Sequence, residues 1–280
     1  MFFKAIKYLF AVSFLIGMTY SQAERPLLSQ YAEVKQRVGL TDITITFHRP
    51  GVKGRVIWGK LVPYGEIWRA GANNATTIEF SDDVKLNGKY LDAGKYSFFI
   101  LPEKDSFTVM INTEWDQWGA FFVDTSKNVL SFKVKPEKTE FTEWLDYCFS
   151  DLSIYSAVIS LHWENLSIPF KVEVFTDEAM KKRNEELQHN AMLQYFNMAA
   201  TYQEQGTHWK EAMEAIQKSI DIQENFDNVK TKSELLAAKG NWREAVEAGE
   251  RAILISGKLQ PKWYVEKFTE EILFWKKNIK

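Results

Sequence analysis

The chain has 280 residues, of which 45% are hydrophobic and 26% are charged, and its formal net charge is −2 at pH 7. Because this charge is near zero and no basic block occurs, nucleic acid is not expected as a partner. The single cysteine, Cys148, excludes an intramolecular disulfide and a cysteine-based zinc site. Length and composition indicate a soluble globular protein of two modest domains, each large enough to bury a core.

The first residues have the pattern of a signal peptide. Lys4 and Lys7 precede the apolar run Tyr8–Tyr20, which the small-residue segment Ser21-Gln22-Ala23 follows. We predict a signal peptide over residues 1–23, cleaved after Ala23, and export to the periplasm or the extracellular space. The apolar run is shorter than the roughly 20 residues that span a bilayer as a helix. No membrane span is expected after cleavage, and the loss of the two lysines would change the formal charge from −2 to −4.

From about Thr41 to Phe175, apolar and polar residues mostly alternate, which predicts β-strands. The apolar positions of three such runs are Ile43, Ile45 and Phe47, then Ala157, Ile159, Leu161 and Trp163, then Ile168, Phe170, Val172 and Val174. Many short strands without a helical pattern between them predict a mainly β domain over residues 24–176, either an antiparallel sandwich or a jelly-roll-like barrel.

Two turn signals predict hairpins within this β region. Asn87-Gly88 can place both central residues of a tight turn at positive φ, so Val84–Leu86 is expected to pair with the residues from Tyr90 onward. The polar segment Pro102-Glu103-Lys104-Asp105 is expected to join the strands on either side of it.

At about Thr176 the pattern becomes helical, which predicts an all-α domain over residues 177–280. His208-Trp209-Lys210-Glu211-Ala212 and Asn241-Trp242-Arg243-Glu244-Ala245 stand 33 residues apart, and each follows a glycine closely. This spacing resembles tetratricopeptide repeats, whose helix pairs recur about every 34 residues. Such helices usually bind a protein partner in a groove. With only two copies, packing against the β domain is the alternative.

Both ends of the helical domain carry local signals. Thr176 or Asp177 is expected to cap the first helix, since both side chains accept hydrogen bonds from backbone amides. A final helix is predicted from apolar residues at spacings of three and four, which are Val265, Phe268, Ile272, Trp275 and Ile279.

The segment from Arg49 to Thr76 combines arginines, a tryptophan, adjacent asparagines and glycines, a mixture that neither a strand nor a helix requires. Guanidinium groups on such a loop can bind carboxylates or pairs of hydroxyl groups. We expect a polar cleft formed by Arg49, Arg55, Trp68, Arg69, Asn73 and Asn74. In the structural alternative, each arginine pairs with an internal carboxylate such as Glu66, Glu79 or Asp124. The asparagines then cap loop backbone groups, and the tryptophan belongs to the core.

A second candidate is the loop Trp115-Asp116-Gln117-Trp118-Gly119. Trp115 and Trp118 can stack on sugar rings while Asp116 binds hydroxyl groups, because an indole presents an apolar face and a polar edge. A small polar ligand or a glycan is therefore the expected ligand class. In the alternative, both tryptophans fold back and cover the end of the sandwich.

The arginine-rich segment also carries a family resemblance. It reads Arg-Pro, Lys-Gly-Arg, Pro-Tyr-Gly and Trp-Arg-Ala-Gly-Ala-Asn in order, and a Gly-Lys…Ala-Gly-Lys-Tyr hairpin follows over residues 88–96. In these motifs, residues 26 to about 175 resemble the exported bacterial family called domain of unknown function 2911. The resemblance implies an exported β-rich protein. It implies no catalytic role, because the family has no established activity.

Other chemistries have weaker support in the sequence. The four histidines show no metal-ligand spacing, so neither a metal nor another cofactor is expected. His48 and His162 lie on predicted strands, where they would form an acid–base set if they met near Asp124 or Asp151. Three functions follow from these observations. A non-catalytic binding module is favoured over a hydrolase acting on envelope or polysaccharide material and over a structural envelope module.

Overall fold

A computed structural model describes residues 26–257 and 260–279, which form two compact units, one ending at Val174 and the other beginning at Phe175. The predicted signal peptide and its cleavage site lie outside the described residues. In the described part, the first unit contains ten strands, which are β1 (Gln30–Val38), β2 (Thr41–Arg49), β3 (Thr76–Phe80), β4 (Val84–Leu86), β5 (Lys89–Leu91), β6 (Gly94–Pro102), β7 (Phe107–Asn112), β8 (Asn128–Val134), β9 (Glu137–Ser150) and β10 (Ser156–Val174).

These strands form two antiparallel sheets around one core. The larger sheet has six strands in the order β1-β2-β3-β6-β7-β8, and the smaller has four in the order β5-β4-β10-β9. Alternate side chains of both sheets enter a common hydrophobic cluster. The Phe98 ring of β6, for example, stacks on Phe170 of β10 with ring centroids 5.4 Å apart. The predicted antiparallel β domain is confirmed, with open sheets rather than a closed barrel.

Strand β10 joins two runs that the sequence presents separately. Its pairing with β9 is irregular between His162 and Leu166, and Glu164 there has a positive φ of 55°. Two register shifts there place extra residues on β9, and the positions of β10 that face the core change parity across them. The buried series ending at Trp163 is therefore followed by a series of the opposite parity beginning at Ile168.

Both predicted hairpins are confirmed. Asn87 and Gly88 have φ of 49° and 79° and join β4 to β5 in a two-residue turn. Pro102 ends β6, and β6 pairs with β7 from Pro102 opposite Phe107 onward. Local turn chemistry therefore sets the register of both hairpins.

Strand β1 lies before the region that the sequence predicts to be β. It pairs with β2 along its length, from Gln30 opposite Arg49 to Val38 opposite Thr41. Only its last residue is buried, and Gln36 occupies one of the half-buried alternate positions. The interrupted apolar alternation explains why the sequence gives no clear strand signal here.

The second unit is helical. Its described part contains α1 (Thr176–Gln205), α2 (Trp209–Ile222), α3 (Phe226–Ala238), α4 (Trp242–Ser256) and α5 (Lys262–Lys277). Trp209 and Trp242 begin α2 and α4, and each follows a glycine in the left-handed region, Gly206 or Gly240. Successive helices pack against each other. The arrangement is consistent with the predicted repeat of helix pairs.

Two local predictions for the helices have different outcomes. Phe175 occupies the N-cap position of α1, and Thr176 and Asp177 already lie within the helix. The prediction that one of these two residues is the N-cap is therefore wrong. The final helix is confirmed as α5, whose Phe268, Ile272 and Trp275 are buried. Among the helices of residues 26–257 and 260–279, none is long and apolar enough to cross a membrane.

The turn at Gly88 allows a direct test of the hairpin geometry. Gly88→Ala is expected to lower the free energy of unfolding by about 1–2 kcal/mol, because a residue with a Cβ is disfavoured in the left-handed region. Apart from chain neighbours, no atom lies within 4 Å of the new Cβ, so the cost comes from backbone conformation alone. The control Lys104→Ala, in the exposed turn of the other hairpin, is expected to change stability by less than about 0.5 kcal/mol. Chemical denaturation compares both variants with the parent, and equal stability of all three would contradict the turn assignment.

Candidate functional site

The candidate site is built on the long loop between β2 and β3, residues 50–75, which backbone hydrogen bonds fix to both sheets. The amide of Trp68 donates to the carbonyl of Ile100 on β6, and the amide of Ile100 donates back, each at 2.8 Å. On the other side, the amide of Leu145 on β9 donates to the Pro50 carbonyl at 3.0 Å. A loop anchored in this way presents its side chains in fixed positions.

Trp68 fixes the centre of this loop. Its indole stacks on that of Trp163 from β10, with centroids 5.7 Å and planes 16° apart. Trp58 meets both rings edge-on, at 5.7 and 6.2 Å. The Trp68 Nε1–H donates to the Gly71 carbonyl at 3.2 Å. The ring thus packs against the core, as the structural alternative expects, and it also borders a cavity described below.

Arg49 joins the two sheets. It ends β2, and its guanidinium forms an ion pair with Asp146 of β9. The guanidinium carbon also lies 5.7 Å from the centroid of the Phe47 ring. The internal partner is therefore a carboxylate that sequence reasoning did not name, on a strand about a hundred residues away.

Arg55 stabilises its own loop. Its Nε donates to the Val52 carbonyl at 3.0 Å, and its Nη2 donates to the Gly51 carbonyl at 2.6 Å. The structural alternative is thus correct that this arginine has an internal role, although its acceptors are carbonyl groups rather than the expected carboxylate.

Arg69 differs from the other two. Within the described residues, its guanidinium has neither an ion-pair nor a hydrogen-bond partner, and its Nε is buried without an acceptor. The side chain is half-buried, and this burial lowers the pKa of Arg69 below its ordinary value. An arginine nevertheless remains charged at neutral pH. A buried N–H group without an acceptor costs free energy, which a bound anion or carbonyl oxygen would recover.

A cavity of about 250 Å³, the arginine pocket, lies beside Arg69. Its lining includes Arg55, Leu61, Trp68, Arg69, Ala72 and Trp163. The Trp163 indole is buried, and its Nε1–H has no acceptor. The pocket therefore combines an unpaired cation, a second guanidinium and apolar indole walls.

The two asparagines hold different positions. Asn73 has a φ of 55°, and its Nδ2 donates to the Ser29 carbonyl at 3.2 Å, which is the backbone role that the structural alternative expects. Asn74 is exposed, and its side chain has no hydrogen-bond partner among the residues that the structure describes. Of the two amides, that of Asn74 is the one available to a ligand.

The two candidate loops pair with each other. The segments Asn73–Ala75 and Gln117–Gly119 form an antiparallel bridge flanked by backbone hydrogen bonds of 3.0 Å. Gly119 has a φ of 74°, and a Cβ there would lie 3.5 Å from Nη1 of Arg69. The tryptophan loop is therefore a wall beside the unpaired guanidinium, an arrangement that no sequence pattern indicates.

A second cavity of about 250 Å³, the aromatic pocket, adjoins this paired segment. Its lining includes Tyr31, His48, Asn74, Lys95, Trp115 and Asp116. Trp115 and Trp118 are 44% and 60% exposed, so the alternative in which they fold back over the sandwich is not observed. Trp118 lies outside the lining of both cavities. Of the predicted loop residues, Trp115 and Asp116 thus share a pocket.

The two histidines do not form the expected acid–base set. His48 lies on β2 in the larger sheet, and His162 lies on β10 in the smaller sheet. Burial lowers the pKa of His48, and the charge of Arg69 lowers it further. The Nε2 atom of His162 lies 3.4 Å from the Ser167 hydroxyl oxygen. The strongest electrostatic neighbour of His48 is therefore a cation rather than a carboxylate.

The carboxylates expected beside the histidines have other roles. Asp124 accepts hydrogen bonds from the amide and the hydroxyl of Ser126, at 2.9 and 2.7 Å. Asp151 occupies the turn between β9 and β10 with a φ of 49°, next to the Ser150 hydroxyl. No group of three or more histidine, cysteine or acidic residues in the described ranges is placed to hold a metal ion.

Several residues of the two pockets are not singled out by sequence reasoning, for example three residues that lie on strands. Tyr31, Lys95 and Trp163 lie on β1, β6 and β10, and each fits an ordinary strand position. For Trp163, the irregular pairing and the positive φ of the next residue, Glu164, are unusual features that leave a weak sequence signal. The contribution of these three residues to the pockets depends on how the strands pair, which the sequence alone does not show.

A model of the family described as "Protein of unknown function (DUF2911)" matches residues 29–172, about half of the chain. The match includes both candidate loops and ends before the helical unit. No curated protein and no solved structure matches the chain significantly.

The proximity of Arg69 to His48 can be measured. The pKa of His48 is expected below its ordinary value of 6.5, and Arg69→Met is expected to raise it, since one of its two lowering causes is removed. Because the folded state disfavours the protonated ring, His48 also lowers the free energy of unfolding as the pH falls below 6.5.

The measurement is an NMR titration of the histidine rings, with the His48 signal assigned by its loss in His48→Gln. Arg55→Met is the control, because it leaves Arg69 in place and should leave the His48 pKa unchanged. An unchanged titration in Arg69→Met would contradict the electrostatic contact.

Proposed function

The chain belongs to the DUF2911 family of proteins of unknown function, and from the geometry of the site we propose that it is a non-catalytic binding module for a small polar ligand that carries an anionic group. The arginine pocket receives the anionic group, and Arg69 is its principal donor. Export through the N-terminal signal sequence is part of the proposal, as is a docking role for the helical repeat, and both rest on sequence patterns alone.

The observation that carries this proposal is the unpaired guanidinium of Arg69. Arg49 has an ion pair and Arg55 has two hydrogen bonds, whereas Arg69 has neither within the described residues and lies half-buried beside a cavity. Among the same residues, the buried Nε–H of Arg69 has no acceptor, and neither has that of Arg49. Placing a charged group in this position costs free energy without adding an ion pair or a hydrogen bond to the fold. A planar guanidinium is well suited to a carboxylate, which can accept two parallel hydrogen bonds from it. This combination supports binding as the role of the site.

The geometry supports catalysis less well. A general base must lie within hydrogen-bond distance of the group it activates, and it is usually oriented by a second group. Within the described residues, the ring of His48 has no hydrogen-bond partner to orient it, while Asp124 caps a turn. The purely structural alternative does not explain a half-buried cation at the edge of a cavity.

Thermal-shift screening tests the proposal. The chain from residue 24 onward is screened against organic acids, acidic and neutral sugars, and nucleotides. A ligand that binds only the folded state raises the melting temperature by mass action. We expect an anionic class to raise it, and we expect the shift to disappear in Arg69→Met. A panel in which no anionic compound shifts the parent would contradict the proposal.

The stability of the variants provides an independent test. Arg55→Met removes hydrogen bonds to two loop carbonyls and is expected to lower the free energy of unfolding by about 1–3 kcal/mol. Arg69→Met is expected to leave stability unchanged or to raise it, because methionine retains the apolar contacts and removes a buried N–H without an acceptor. Chemical denaturation of both variants gives the comparison. A large loss of stability in Arg69→Met would indicate a structural role instead.

A further inference from the structure

We infer that the aromatic pocket is a subsite for a sugar ring beside the anion site, so that the ligand is an acidic oligosaccharide whose carboxylate binds Arg69. This inference rests on the proposed function and specifies its ligand class. It follows from the rings of the aromatic pocket, from its unused polar groups, and from its position next to the arginine pocket.

The rings provide a surface for stacking. The Nζ of Lys95 lies 4.4 Å from the centroid of the Trp115 ring, so a cation covers one side of this indole. Trp115 nevertheless remains 44% exposed. The rings of Tyr31 and His48 meet edge to face, with centroids 5.8 Å apart, and line the same cavity. An exposed indole face matches the apolar C–H face of a sugar ring.

The polar groups suit hydroxyl recognition. The carboxylate of Asp116 and the amide of Asn74 line the pocket, and within the described residues neither side chain has a hydrogen-bond partner. Together they offer both donors and acceptors, as sugar hydroxyl groups require. Specific sites for small molecules combine apolar walls with a few placed polar groups in this way.

The two pockets are neighbours in the fold. The segment Asn73–Ala75 lies at both, since Asn73 binds the Ser29 carbonyl at the arginine pocket and Asn74 lines the aromatic pocket. His48 lines the aromatic pocket, and its pKa is lowered by the charge of Arg69, which lines the other. A ligand held at one pocket is therefore within reach of the other.

The sizes of the cavities favour a ligand that spans both. Each has a volume of about 250 Å³, whereas sites that bury a small molecule usually have volumes of roughly 300–1,000 Å³. One pocket alone fits little more than a single group or ring. A chain of sugar units with a carboxylate on one unit would place that carboxylate at Arg69 and a neighbouring ring on Trp115.

The test is calorimetric titration with three ligands: an oligosaccharide of glucuronate units, its methyl-esterified form, which lacks the charge, and monomeric glucuronate. The chain from residue 24 onward is compared with Arg69→Met, Trp115→Ala and Trp118→Ala. Trp118→Ala is the matched control, because Trp118 is an exposed tryptophan of the same loop that lines neither pocket. Circular dichroism verifies that each variant is folded.

We expect the acidic oligosaccharide to bind the parent more tightly than the ester or the monomer does. Trp115→Ala should weaken oligosaccharide binding by about tenfold or more, as removal of a central aromatic contact commonly does. It should change monomer binding by less than Arg69→Met does. Trp118→Ala should leave all three affinities unchanged.

Other results would overturn the inference in distinguishable ways. Oligosaccharide binding that depends on Arg69 and not on Trp115 would refute the sugar subsite and leave the anion site standing. Equal binding of the ester and the acid would refute the acidic ligand class. If neither an acidic sugar nor any carboxylate of the thermal-shift panel binds, the proposed function fails, and this inference fails with it.

Discussion

The stack of Trp68 on Trp163 is the contact on which the site depends. Trp163 belongs to the four-stranded sheet, while the Trp68 backbone is hydrogen-bonded to Ile100 of the six-stranded sheet. The loop over residues 50–75 is therefore held by both halves of the sandwich. Arg69 directly follows Trp68 and takes its position from this anchor. Burial of a large aromatic side chain contributes a few kcal/mol, which is enough to offset the cost of holding a guanidinium without a partner.

The three arginines of the loop show where sequence reasoning about the site ends. Their clustering is visible in the chain, and a site at this place could be predicted from it. Their roles differ because their partners are distant: Arg49 finds Asp146 only after β2 and β9 are brought together. Arg55 folds onto its own backbone, and Arg69 is left beside a cavity. The pairing of strands determines which of the three arginines is left without a partner. No local sequence pattern indicates which one it is.

The fold could be predicted more fully than the site, because its main signals are local in the sequence. Alternation in β2, the Asn87-Gly88 turn and the change of period near Thr176 are local signals, and each predicts a feature that the structure contains. Strand β1 was not predictable in this way, because it is an edge strand with one buried residue and needs few apolar side chains. The change of parity within β10 made one strand look like two in the sequence. Features that depend on contacts between distant segments were the ones that the sequence did not reveal.

The backbone pairing of Asn73–Ala75 with Gln117–Gly119 also has an evolutionary consequence. It couples two surface loops that belong to different parts of the chain, so an insertion or deletion in either one would reshape both cavities at once. The bridged segments themselves lie outside the main core cluster, to which the longer loop contributes Ile57, Val62 and Ala70 instead. The proposed ligand selectivity would then change through both cavities together rather than through one of them.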